Sequence, residues 1–177
     1  MRLMHKRSSI GAGTFFKHFF RLARHPWIGT KWGKLEVDKW LFDLFSPRFR
    51  DGRAGEIRQV SIRITDVCNL RCHTCGQWGD SGFLHGKELK ELKKEEVTPH
   101  RYRELFVDLV RHGHRPIIYF WGGEPMLYDG ILELIEDARA LGLPSAIATN
   151  GTHLAASAER LVDIPLFLLQ LSIDGHC

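Results

Sequence analysis

From Arg58 onward, apolar and polar positions follow two alternating rhythms. Val60, Ile62 and Ile64 alternate with Ser61, Arg63 and Thr65. A period of two predicts a strand with one buried face. At Thr98-Pro99 the rhythm changes. Thr is a good N-cap and Pro suits the first helical position. Tyr102, Leu105, Phe106 and Leu109 then recur at helical spacing, and Gly113 stops the helix. Ile117 to Trp121 reads as a short strand. Asp129 is expected to cap a helix whose Ile131, Leu134, Ile135 and Ala138 face the core, ending near Gly142. Ser145 to Thr149 predicts a third strand, Leu154 to Val162 a short helix, and Phe167 to Ile173 a fourth strand. Strands alternating with helices imply parallel strands joined by right-handed crossovers, an α/β fold. The Lys/Glu-rich run 86–97 is expected to be a solvated connection or helix face.

Residues 1–57 follow no such plan and form a basic, aromatic-rich leader, with 1–13 expected to be disordered. Within it, Phe15, Phe16, Phe19, Phe20 and Ala23 fall on one helical face, with Lys17, Arg21 and Arg24 on or beside the other. A basic amphipathic stretch at 14–24 can make weak contact with an anionic membrane surface, or can dock on the rest of the fold. Trp27, Trp32 and Trp40 are expected to be packing residues. Charge follows the same division. Residues 1–55 hold 12 Lys+Arg and 4 Asp+Glu; residues 56–177 hold 13 and 17, and the two parts sum to the chain's +4. No nucleic-acid motif accompanies the basic segment, so no nucleic-acid partner is expected. No apolar run is long enough to span a bilayer, and no secretory pattern is present. A cytoplasmic location is the expectation.

Of the four cysteines, three form the run Cys68-Asn-Leu-Arg-Cys72-His-Thr-Cys75, directly after the first predicted strand. Clustered thiols in a reducing compartment read as metal ligands rather than a disulfide framework. A structural zinc ion takes four ligands. His73 and the distant Cys177 are the candidates for a fourth, and Cys177 can equally be a catalytic thiol or only the end of the chain. Three thiolates can instead hold three irons of a four-iron cluster and leave the fourth open, unlike the four-cysteine ferredoxin run. His112 and His114 flank a helix end and are expected at the surface. The other predicted strands end in Gly122-Gly123-Glu124-Pro125, Thr149-Asn150-Gly151 and Ser172-Ile173-Asp174-Gly175. Each alone is an ordinary turn sequence. Parallel α/β folds bind ligands at the carboxyl ends of their strands, so the four segments together predict one rim. Strand periodicity also puts Gln170, Ser172 and Asp174 on one face.

These segments resemble the radical S-adenosylmethionine (SAM) superfamily over about residues 58–177, especially members with a further C-terminal cluster domain. The matching residues are Asp66-Val-Cys-Asn-Leu-Arg-Cys-His-Thr-Cys75, Gly122-Gly-Glu-Pro125, Thr149-Asn-Gly151 and Ser172-Ile-Asp-Gly175. The resemblance implies a partial parallel (βα) barrel. It implies that Cys68, Cys72 and Cys75 ligate a [4Fe–4S] cluster and that SAM chelates the open iron. Gly122, Gly123, Glu124 and Pro125 would then meet the methionine amino group, with backbone close to the ligand. Asn150 would line the rim, and Ser172 and Asp174 would face the ribose or carboxylate. The family usually carries an aromatic residue before the third cysteine; Thr74 stands there and implies a weaker adenine contact. The implied activity is reductive cleavage of SAM to a 5′-deoxyadenosyl radical that takes hydrogen from a peptide or small-molecule substrate. A flavodoxin- or ferredoxin-like donor would supply the electron. The family's core has more βα units than the four strands read here, so the chain is expected to be the front part of a larger protein. A cluster-binding remnant without catalysis and a structural zinc or interaction protein are the alternatives.

Overall fold

The computed structural model describes residues 57–164 and 166–173, with Thr30, Gly33, Lys34, Val37 and Leu41. Most of the leader 1–57, including the 14–24 stripe and Trp27, Trp32 and Trp40, lies outside the described residues, as do Asp174 and Cys177. Among the described residues no helix is long and apolar enough to cross a membrane.

Four strands, β1 (Gln59–Thr65), β2 (Ile117–Gly122), β3 (Ser145–Thr149) and β4 (Leu168–Leu171), form one sheet in the order β1-β2-β3-β4. Every pairing is parallel, with Gln59 opposite Ile117, Ile118 opposite Ser145 and Ala146 opposite Leu168. Helices α1 (Leu89–Lys94), α2 (Pro99–Arg111), α3 (Ile131–Ala140) and α4 (Leu154–Asp163) lie in the connections. The architecture is the parallel α/β arrangement expected, consistent with part of a βα barrel.

Period-two alternation decides which face is covered. Ile62 and Ile64 of β1, Ile118 and Phe120 of β2 and Ile147 of β3 are buried against α2 and α3. Phe106 of α2 meets Phe120 edge-on at 6.4 Å between ring centroids, and Leu134, Ile135 and Ala138 of α3 complete the core. On the other face Ser61, Arg63, Trp121 and Gln170 are exposed. There the Tyr119 hydroxyl donates to Gln170 Oε1 at 3.0 Å, reaching from β2 to β4.

The structure refines four local expectations. Asp129 does not cap α3. Gly130 occupies the N-cap with φ 88°, where glycine is favoured, and makes no side-chain cap. The exposed Asp129 carboxylate instead lies 3.3 Å from Lys93 Nζ. Leu105 is exposed, because the buried stripe of α2 runs through Phe106 and Leu109, with Tyr102 and Val110 packed beside it. The run 86–97 forms the expected helix face, α1, with most of its residues exposed and a few turned inward. Leu92 is buried, and the largely buried Glu96 carboxylate accepts from Thr65 Oγ1 and pairs with Lys93 at 3.2 Å. Its charges fold this run back onto the end of β1. The last strand is shorter than its apolar pattern, since pairing with β3 covers Leu168 to Leu171.

Candidate functional site

Parallel strands put all four carboxyl ends on one edge of the sheet, and the cysteine run leaves β1 there. At the end of β1 the register with β2 shifts between Arg63 and Thr65, which frees the chain to turn out of the sheet. A tight turn follows, with Cys75 N–H donating to the Cys72 carbonyl at 3.0 Å. The Leu70 N–H points at Cys68 Sγ and the Trp78 N–H at Cys75 Sγ, each at 3.4 Å. Hydrogen bonds to sulfur are among the outer contacts that orient and tune metal-bound thiolates.

The loop is built around Trp78. Its ring is buried with Leu84 and Leu92, and Val67, Cys68 and Cys75 pack on that cluster. Its indole N–H donates to the Asp66 carbonyl at 2.8 Å. Gly79 lies against the turn so closely that a Cβ there would stand 2.5 Å from the His73 carbonyl oxygen and 2.6 Å from that of Cys75. All three cysteines are half-buried. Burial pushes the Cys68 thiol above its ordinary value. The Leu70 N–H partly offsets this, the negative charges of Glu124 and Cys75 add to it, and Arg71 opposes it.

Glu124 joins the strand ends. It is fully buried, and its carboxylate accepts from Met126 N–H at 3.0 Å, Thr149 Oγ1 at 2.7 Å and Asn150 N–H at 2.7 Å. Its own N–H donates to the Val67 carbonyl at 2.8 Å, and the Gly123 N–H to that of Thr65 at 2.8 Å. The two glycines before it make this seating possible. A Cβ on Gly122 would stand 2.3 Å from the Thr65 carbonyl oxygen, and one on Gly123 2.3 Å from that of Val67. The glycines thus allow the chain's own backbone to pass closely at this point. Pro125 is buried and opens a short 3₁₀ turn, Pro125–Leu127.

A second bridge is polar and exposed. Asn150 Nδ2 donates to Asn69 Oδ1 at 2.9 Å, and Asn69 Nδ2 donates to Thr152 Oγ1 at 2.9 Å. The residue after the first cysteine is thus tied to the loop after β3.

The structure places the sequence candidates unevenly. The Cys68 loop, Gly122 to Pro125 and Asn150 meet at one rim. Thr74 is exposed. Ser172 is exposed at the end of β4, where its N–H donates to the Thr149 carbonyl at 2.9 Å. Sequence reasoning missed Asn69, Arg71 and Trp78 within and just after the cysteine run, and Trp121 and Tyr119 on the open face. The last two had a signal, since they alternate with the buried Ile118 and Phe120. No short-range signal marks Trp78, whose partners are fixed by how the loop folds.

Among the described residues, no three His, Cys, Asp or Glu side chains are gathered to hold a single metal ion. His73, the nearest candidate for a fourth zinc ligand, turns Nδ1 to Asp80 at 2.9 Å, and both side chains are exposed. Thiolates that each bind a different iron of a cluster have no need to converge on one point. The donor set, three thiols with amide N–H groups aimed at two of them, is one that an iron–sulfur cluster can use.

A family model described as the radical SAM superfamily matches residues 62–176. The chain belongs to the radical SAM superfamily. The match spans the three cysteines and all four strand ends. Similar curated proteins include an S-adenosylmethionine-dependent nucleotide dehydratase from Flammeovirga pacifica, 34% identical over 67% of this chain and 39% of the relative. A GTP 3′,8-cyclase from Listeria monocytogenes serotype 4b is 34% identical over 66% of this radical SAM chain and 33% of its own length. A pre-heme d1 synthase from Dinoroseobacter shibae is 34% identical over 78% and 32% respectively. The chain thus spans between 32% and 39% of the length of these relatives.

Proposed function

We propose that this chain is the cluster-bearing part of a radical SAM enzyme. Cys68, Cys72 and Cys75 hold a [4Fe–4S] cluster, and SAM binds at the iron they leave open. When bound, that pair supplies one-electron reductive cleavage of SAM and a 5′-deoxyadenosyl radical that takes hydrogen from substrate.

The observation that carries the reading is the joining of three strand ends by hydrogen bonds. Val67 meets Glu124, Glu124 meets Thr149 and Asn150, and Asn150 meets Asn69. The chain's own residues have definite tasks here. The Leu70 and Trp78 N–H groups stabilise negative charge on the Cys68 and Cys75 sulfurs. The Trp78 cluster keeps water from the inner side of the loop. Glu124 has its carboxylate consumed by three internal donors, so it sets the spacing between the cysteine loop and the Asn150 rim. Asn150 keeps its side chain at that rim. Ser172 and Asp174, toward the ribose or carboxylate, and Thr74, toward the adenine, belong to the same proposal. An external flavodoxin- or ferredoxin-like protein supplies the electron, and the cytoplasm is the compartment that keeps the thiols reduced. The relatives' names point to a nucleotide, to GTP and to pre-heme d1, so the shared element is the radical step and not one substrate.

Anaerobic reconstitution with iron and sulfide, dithionite reduction and EPR with and without SAM tests this reading. A four-iron signal that changes on adding SAM is the expected result. A cluster indifferent to SAM leaves only the cluster-binding remnant, and uptake of zinc in place of a cluster overturns the proposal.

A further inference from the structure

Resting on the cluster reading above, the geometry points to Arg71 as a positioning residue that keeps a permanent positive charge beside the Cys68 ligand and thereby raises the cluster's reduction potential. Three observations converge on it. The guanidinium carbon lies 3.9 Å from the Trp78 ring centroid, a cation–π stack. One guanidinium nitrogen, Nη1, donates to the Cys68 and Leu70 carbonyls, both at 2.9 Å. Trp78 itself cannot swing away, because its ring is buried, its indole N–H holds Asp66 and its backbone N–H holds Cys75 Sγ.

Most surface arginines wander through many rotamers and contribute little beyond a screened charge. Arg71 is exposed, yet its head group is fixed on three sides to the loop that carries the ligands. The planar fork matters for this. It lies flat on the indole while Nη1 donates to both carbonyls, an arrangement that a lysine's flexible stem and compact ammonium hold less firmly. Guanidinium stays protonated at every working pH, so the charge is constant. The potential of an iron–sulfur cluster depends on net charge and on hydrogen bonding around its sulfurs. A fixed cation near Cys68 favours the form with one more electron. The loop would thus ease delivery of the electron that the reaction requires.

The test is an EPR-monitored redox titration of the reconstituted protein as wild type, Arg71→Gln and Arg71→Lys, at low and at high salt. The expected result is a more negative midpoint in R71Q, with R71K between R71Q and wild type, because an ammonium keeps the charge but not its fixed place on the indole. The gap between R71Q and wild type should shrink at high salt, because the guanidinium faces solvent on its outer side. An R71Q midpoint equal to wild type overturns the inference, as does an equal shift in R71Q and R71K, which would mean that loop shape and not charge matters. R71Q that assembles no cluster while R71K does supports the charge; failure of both alike overturns it. Hydrogen exchange of the apo-protein amides at 69–72 reports the loop's shape separately and should rise in both variants. A wild-type protein that forms no four-iron cluster sinks the proposed function itself, whereas a normal wild-type cluster with an unmoved R71Q sinks only the role of Arg71.

Discussion

The sheet with α2 and α3 and the cysteine loop are held together by different forces. Phe106, Ile118, Phe120, Leu134 and Ile147 show no exposed surface, and they hold the frame by apolar burial. The loop after β1 has only Trp78, Leu84 and Leu92 as its own buried cluster. It keeps its shape through backbone hydrogen bonds, close glycine contacts and the seating of Val67 on Glu124. A region with few apolar contacts opens locally at lower cost than the core around it. The chain therefore separates two properties: the frame decides whether the protein folds, and the loop decides whether the ligands are in place.

The largest loss is expected from damage to the frame. Phe120→Ala should cost about 3–5 kcal/mol, as truncation of a buried aromatic does, and the loop should be lost along with it. Urea unfolding measures this, and a loss under about 1 kcal/mol would mean that β2 is not central to the core.

Glu124→Ala attacks the junction between the two regions. It strands the Met126 and Asn150 N–H groups and the Thr149 hydroxyl, at about 3 kcal/mol in all for unmet buried groups. Glu124→Gln should recover part of this, because its one carbonyl oxygen can still accept from Met126 and Thr149 while its NH₂ faces the Asn150 N–H. Equal urea midpoints for the two variants would contradict the geometry.

Cys75→Ser works on the loop alone. Apo stability should change by less than about 1 kcal/mol, in the range of substitutions outside the core, since a hydroxyl can still accept from the Trp78 N–H. Iron content and the visible absorbance of the reconstituted protein should fall sharply. A loss of fold comparable to that of Phe120→Ala would erase the distinction between frame and loop.

The smallest effect lies on the frame's outer surface. Arg160 reaches Glu133 at 3.0 Å and Glu136 at 2.9 Å, linking α4 to α3. The Glu133 carboxyl is held below the usual carboxylate range, first by its own backbone N–H and then by Arg160. A depressed folded value means that this contribution is present above the unfolded value and is lost as pH falls through the folded one. Arg160→Ala should remove part of that acid sensitivity and cost little at neutral pH, as exposed pairs do. Unfolding midpoints across the acid range check it, and a larger loss at pH 7 than at pH 3 is the expected order.

Periodicity and motif spacing carried the βα order, the parallel sheet and the cysteine run, because these are written in neighbouring residues. A pattern such as Val60, Ile62 and Ile64 records that one face is buried without saying what covers it. Asp129 shows the limit: a local rule allows it as a cap, and the packing around Gly130 decides otherwise, just as packing buries Phe106 and leaves Leu105 exposed. Within the largely exposed run 86–97, only folding brings Glu96 to Thr65, 31 positions earlier. The same holds at the rim. Glu124 reaches Asn150 across 26 positions and Asn150 reaches Asn69 across 81. Short-range patterns cannot encode such distances. The ligand types and their spacing belong to the sequence alone, whereas the union of the strand ends, the internal role of Glu124 and its glycines, and the Arg71–Trp78 stack exist only once the chain has folded back on itself.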